Sequence, residues 1–216
     1  MTQGNSKIVT TNQQGVHDNL LHVVRRHLAH PSRKPFSQHT LAAFDSAQAW
    51  IGNSTNPLIL DACCGTGEST AHLALMHPEA LVIGIDKSIH RLERHKHESD
   101  NYLLLQADLN DFWRLARHAG WQLYKHYLLY PNPYPKSVHL KRRWHASPAF
   151  PDILALGGEL TVRSNWRLYV EEFVAALGAV GVDAMCSEYI NELPITAFER
   201  KYWLSGQRSW QLCVEL

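Results

Sequence analysis

Leu58-Ile59-Leu60-Asp61-Ala62-Cys63-Cys64-Gly65-Thr66-Gly67-Glu68-Ser69-Thr70 is the stretch on which the fold turns. A short apolar run ends in an acid, bends through two glycines and enters a helical pattern that continues to Met76. A strand, a glycine turn and a helix in that order begin a parallel sheet. The alternation then repeats. ALVIGI (80–85) reads as a second strand, Ser88 to Glu98 as a charged helix, YLLLQA (102–107) as a third strand, and Phe112 to His118 as a helix. HYLLY (126–130) and GGELTV (157–162) supply two more strands, and a helix from Trp166 to Leu177 follows. Short apolar strands separated by helices predict an α/β fold with a mostly parallel sheet covered on both faces. VDAMCSEY (182–189) and SWQLCVEL (209–216) alternate apolar and polar residues, which predicts an antiparallel C-terminal edge pair.

Upstream of Pro57 the pattern is helical. Val16, Leu20, Val23, Val24 and Leu28 fall at helical spacing with Arg25 and Arg26 off that stripe, and a second helix carries Leu41, Phe44 and Trp50 before Gly52-Asn53 stops it. Residues 1–57 are therefore expected to form a helical extension of a main domain over 58–216. A chain of 216 residues with 45% apolar content can bury a sizeable core, and 19% charged residues exclude a disordered polyelectrolyte. No run approaches the ~18 apolar residues of a membrane span, and the opening MTQGNSK is too polar for a signal peptide. Cys63, Cys64, Cys186 and Cys213 have neither metal-ligand nor disulfide spacing, so reduced thiols and a cytoplasmic location are expected.

The net charge of +1 conceals an asymmetry. Phe112 through Pro151 contains no acid but seven basic residues, leaving 14 basic against 20 acidic residues elsewhere. Lys136, Lys141, Arg142 and Arg143, with His139 and His145, concentrate that charge in a Pro-rich segment, which suits a nucleic-acid backbone.

The glycine turn is the natural seat of a ligand. Gly65 and Gly67 let backbone approach a bound group at a helix start. A dinucleotide fingerprint needs a third glycine where Thr70 stands, which disfavours NAD. Asp61 ends the first strand and can meet an ammonium group, Asp86 ends the second and can accept two ribose hydroxyls, and Asp108 follows the third within reach of an adenine amine. Each could merely cap a helix. Three acids at successive strand ends, the ligand edge of a parallel sheet, instead describe S-adenosylmethionine. Fourteen scattered histidines show no metal-ligand pairing, so no metal site is expected. Cys63 and Cys64 read as small packing residues, and Trp144 suits either base stacking or packing.

The fourth strand ends in Tyr130-Pro131-Asn132-Pro133-Tyr134-Pro135-Lys136. This segment resembles the Asp-Pro-Trp-Pro-Lys motif, with its trailing basic run, of the bacterial tRNA (guanine-N7)-methyltransferase family. Ser164-Asn165-Trp166 with Tyr169, and Thr196-Ala197-Phe198-Glu199, resemble two further segments of that family, in the same order over residues 58–216. The resemblance implies a seven-stranded class I methyltransferase sheet, Rossmann-like, with S-adenosyl-L-methionine held by Asp61, Gly65, Gly67, Asp86 and Asp108. It implies Asn132 as the residue at the reacting centre, and tRNA held by Lys136, His139, Lys141, Arg142, Arg143, Asn165, Thr196 and Glu199. Asn132 and Asn165 stand where the family has aspartates, and Cys63 where it has the first loop glycine, a mild change because cysteine is small. Two alternatives follow: an amino-group methyltransferase using the Asn-Pro-Tyr loop, and a non-catalytic tRNA-binding paralogue.

Overall fold

The computed structural model describes residues 4–216. Met1, Thr2 and Gln3, the start of the polar opening, lie outside the described residues. The elements in chain order are α1 (Leu20–Ala29), α2 (Gln38–Ile51), β1 (Leu58–Ala62), α3 (Glu68–Met76), β2 (Leu81–Asp86), α4 (Ile89–Leu92), β3 (Tyr102–Gln106), α5 (Leu109–His118) and β4 (Lys125–Leu129). There follow α6 (Phe150–Ala155), β5 (Glu159–Ser164), α7 (Arg167–Gly178), β6 (Ser187–Tyr189), α8 (Ala197–Leu204) and β7 (Ser209–Glu215), with 3-10 turns at Ser137–Arg142 and Trp144–Ala146. The seven strands form one sheet in the order β3-β2-β1-β4-β5-β7-β6. β1 pairs in parallel with β2 and β4, and β2 with β3, while β6 and β7 are antiparallel. This is the class I methyltransferase α/β sheet.

By packing, the chain forms two compact units. One comprises residues 33–129, 152–160 and 215–216; the other, of the described residues, comprises 4–32, 130–151 and 161–214. The first contains β1 to β4, whose Ile59, Leu60, Val82, Ile83 and Ile85 are buried with Phe112 and Trp113 of α5. In the second, Leu20 and Val24 of α1 and Tyr169, Val170 and Phe173 of α7 are buried. Residues 4–57 thus contribute to both units. Among the described residues no helix is long and apolar enough to cross a membrane.

Three elements differ from their sequence patterns. The helix expected over 88–98 stops at Leu92, because Glu93 to Glu98 offers no apolar stripe to bury. α1 starts at Leu20, leaving Val16 exposed. β6 has three residues where eight alternated.

Candidate functional site

The loop after β1 is a tight left-handed turn. Cys63, Gly65 and Gly67 have φ of 65°, 63° and 75°. Gly67 precedes α3, and a Cβ there would lie 2.4 Å from Leu104 Cδ1 and 3.0 Å from His95 Nδ1. Cys63 is the unexpected member. A side chain in that region costs about 1–2 kcal/mol, so replacing glycine here is not mild.

Asp61 lies beneath the loop, fully buried. Its Oδ2 accepts from the hydroxyls of Ser69 and Thr70, each at 2.7 Å, while Oδ1 has no partner among the described residues. Burial raises its pKa to about 6; the two hydroxyls oppose the rise and the charge of Asp86 adds to it. A buried carboxylate oxygen without a donor is what an ammonium group would satisfy. Asp86 is engaged differently. Its Oδ2 accepts from Gly65 N at 3.0 Å and Arg91 Nη1 at 3.1 Å, and Oδ1 from Ser88 N at 2.7 Å. A carboxylate offers about four lone-pair sites, so taking both ribose hydroxyls requires half-exposed Arg91 to release its own. The Gly65 amide, expected to face a ligand, holds Asp86 instead. Asp108 is exposed and caps α5, its Oδ1 accepting from Asn110 N at 2.9 Å. The residues fit S-adenosylmethionine on the evidence of Asp61 Oδ1.

His95, one of the fourteen histidines without metal-ligand pairing, tethers this loop: Nδ1 lies 2.9 Å from the Thr66 carbonyl and Nε2 2.7 Å from the Tyr102 hydroxyl. A cavity of about 510 Å³ opens beside it, lined by Thr66, His72, Leu75 and Tyr102 among others. Burial pushes the Cys64 thiol well up, as suits a packing residue. Among the described residues, no group of three His, Cys, Asp or Glu could hold a metal ion.

The loop after β4 belongs to the other unit. Tyr130 and Tyr134 both have left-handed φ, 51° and 46°. Asn132 is exposed, its Oδ1 accepting from Tyr134 N at 3.3 Å. Lys136, Lys141 and Arg142 are exposed and His139 half-buried, with the Arg142 guanidinium 5.7 Å from the Tyr134 ring centroid. Arg143 is a correction. It is wholly buried, ion-paired to Glu172, and donates to the carbonyls of Tyr134 and Lys136 and to Gln13 Oε1. With all three nitrogens engaged in the interior, it cannot meet a phosphate. Glu172 was not singled out in the sequence, and no local signal marks it: its partners come from two distant segments, around Gln13 and around Arg143.

The Thr196–Glu199 segment is a second correction. Thr196 Oγ1 accepts from Glu199 N at 2.9 Å as the N-cap of α8. Glu199 is fully buried, accepting from Ile195 N at 2.7 Å and from Arg163 Nη1 at 3.0 Å. Thr-x-x-Glu is here a variant of the capping box, and its carboxylate holds protein groups rather than facing a substrate. Asn165 is half-buried and donates to Gln207 Oε1 at 2.8 Å. Trp144 is half-buried too.

The sequence profile of a family described as a putative methyltransferase matches residues 55–212. The tRNA (guanine-N(7)-)-methyltransferase of Alkalilimnicola ehrlichii is 32% identical over 174 residues, covering 72% of this chain and 71% of that protein. The enzyme of the same name from Histophilus somni is 28% identical over 199 residues, covering 81% and 74%. Among solved structures, the 16S rRNA methyltransferase KamB aligns with TM-score 0.58 at 19% identity, over 85% of this chain and 95% of that one. A 16S rRNA (adenine(1408)-N(1))-methyltransferase of Catenulisporales acidiphilia with its cosubstrate SAM aligns with TM-score 0.52 at 15% identity, over 84% and 93%. At these identities the structural likeness is one of fold.

Proposed function

Because the chain belongs to the tRNA (guanine-N(7)-)-methyltransferase family within the putative methyltransferases, we infer that it transfers a methyl group to N7 of a guanine in tRNA. S-adenosylmethionine, when bound, supplies that methyl from a sulfonium. Asp61 would hold its ammonium through Oδ1, Asp86 its ribose and Asp108 its adenine amine, with Gly65 and Gly67 shaping the loop. Guanine N7 carries a free lone pair, so no residue has to remove a proton. The protein's task is alignment and exclusion of competing geometries. Lys136, Lys141, Arg142 and His139 would hold the tRNA, with Asn165 near the base, in the cytoplasm. The observation that carries the reading is the buried Asp61 Oδ1, an acceptor awaiting a cation at the first strand end of a chain with this ancestry.

Asn132 governs the rate. Transfer moves positive charge onto the base, and a carboxylate nearer the base than the sulfonium favours that movement. One charge at ~4 Å and an effective dielectric of ~20 gives roughly 4 kcal/mol as an upper bound. A net of about 1.5–3 kcal/mol is about ten- to a hundredfold in rate. The amide supplies an acceptor without the charge, so slow transfer is expected, raised about ten- to a hundredfold by Asn132→Asp. Nucleoside mass spectrometry of tRNA treated with parent and variant checks this. Methyl on an exocyclic amine, with Asn132→Asp slower, would select the amine chemistry; no methyl from either, with cofactor bound, would leave a tRNA-binding protein.

A further inference from the structure

The loop after β4 holds its shape against cost. A bulky residue at the left-handed φ of Tyr134 is unfavourable unless its surroundings fix it, and such outliers gather where geometry serves function. What fixes Tyr134 is Arg143, nine residues on, which is itself held from far away in sequence. Arg143 Nε and Nη2 donate to its carbonyl at 3.2 and 3.1 Å, and Nη2 also to the Lys136 carbonyl at 3.3 Å. Arg143 is itself held by Glu172 of α7 and by Gln13 Oε1 at 3.1 Å. Glu172 Oε1 accepts from Gln13 Nε2 at 2.5 Å and from His17 N at 3.1 Å, and Oε2 from His145 Nε2 at 3.0 Å. Both side chains of the ion pair are fully buried.

The segment around Gln13 grips the same loop directly. Thr11 Oγ1 donates to the Pro135 carbonyl at 2.6 Å, and Asn12 Oδ1 accepts from Ser137 N at 3.0 Å. Upstream, Gly4 N donates to the Leu204 carbonyl and Ser6 N to Ser205 Oγ, both at 3.0 Å, anchoring the strand of chain at the end of α8. Residues 134 to 137 are thereby held by the N-terminal segment or by Arg143 at every position. Because Tyr134 N donates to Asn132 Oδ1, fixing Tyr134 also fixes the Asn132 amide.

We propose that Thr11-Asn12-Gln13 is a clamp that, through the Gln13–Glu172–Arg143 node, positions Asn132 for methyl transfer, making Thr11, Gln13 and Glu172 positioning residues of the reaction. The proposal rests on the functional reading above. It gives work to a segment without helix or strand, and it explains why a basic residue in a basic run is buried. Net charge at the node is balanced by Arg143 and Glu172, while burial lowers the pKa of His145, leaving its imidazole neutral as the Nε2–H donor. Removing either charge would strand the other in the interior and threaten folding, so the test uses the strap.

The full chain carrying Thr11→Val and Gln13→Ala is compared with the parent and with Thr11→Ser, which keeps the hydroxyl. The double variant should lose about ten- to a hundredfold in kcat on tRNA, the scale of a misplaced reacting group, with tRNA KM, cofactor affinity and cofactor-binding stoichiometry held within about twofold. Thr11→Ser should retain the parent rate, and hydrogen exchange at the Ser137 amide should accelerate in the double variant alone. A double variant at the parent rate overturns the clamp. So does a loss of kcat matched by an equal loss of cofactor-binding molecules, which would mark a structural role. A parent that methylates no tRNA overturns the functional reading and the clamp's part in it together, whereas an active parent with an unaffected double variant overturns the clamp alone.

Discussion

Of the three strand-end carboxylates, Asp61 alone keeps a buried oxygen without a donor among the described residues, and its protonation should therefore be visible in ligand binding. Its pKa is raised by burial from 3.8 to about 6. An ammonium group binds the ionised form, so cofactor affinity should hold above pH ~6 and fall as pH drops through it, by up to about tenfold per unit. Calorimetry at pH 7.5 and pH 5 tests this; equal affinities would remove Asp61 from the ammonium, and Asp61→Asn should abolish the dependence. Stability runs the other way. Between pH 3.8 and about 6 the folded protein keeps a proton that the unfolded chain has lost, so stability from this residue declines as pH rises across that window. The difference is about 3 kcal/mol.

At the scale of the element, the glycine loop carries a residue its backbone does not suit. Cys63 sits at φ 65°, where a Cβ costs about 1–2 kcal/mol. Glycine would remove that cost but add unfolded-state freedom worth about 0.5–1 kcal/mol. Cys63→Gly should therefore stabilise the protein by about 0.5–1 kcal/mol, a rise of about 1–4 °C in thermal midpoint by calorimetry. A lower midpoint would mean that the thiol's own contacts outweigh the strain. The α8 start teaches the converse lesson. Thr196 and Glu199 match a family motif in sequence, yet their side chains serve the helix cap and Arg163.

Across the whole molecule, the basic run divides by burial. Lys141 and Arg142 are exposed and Arg143 is not. Within the same unit, α1 carries exposed Arg25 and Arg26, and the pKa of its buried His27 is lowered by burial, then by the charges of Arg26 and Lys141. Each phosphate contact adds about 0.7–0.9 to the log–log salt slope of tRNA binding, so Lys141→Ala with Arg142→Ala should flatten it by about 1.4–1.8. Filter binding over a salt series checks this, and an unchanged slope would put the RNA elsewhere. Arg143→Ala belongs to a different class: it should impair folding or the loop while leaving the slope of any folded fraction unchanged.

Most of the sheet is legible in residue type, the short edge strand β6 being the exception. Strands such as ALVIGI are apolar throughout because both faces are covered, and the glycine turn after Asp61 needs left-handed backbone wherever it occurs; both are local constraints written in residue type. The order of motifs likewise disclosed the family. Tertiary structure alone decided which polar groups remain available. Nothing in Lys141-Arg142-Arg143 says that the third guanidinium turns inward, and nothing in Thr196 to Glu199 says that the carboxylate is spent on Arg163. Nor does the sequence place Gln13 against Glu172, 159 positions away. Charge and hydrogen-bonding capacity belong to the residue, but whether they face a ligand or the interior depends on burial and partners brought together only when the chain folds.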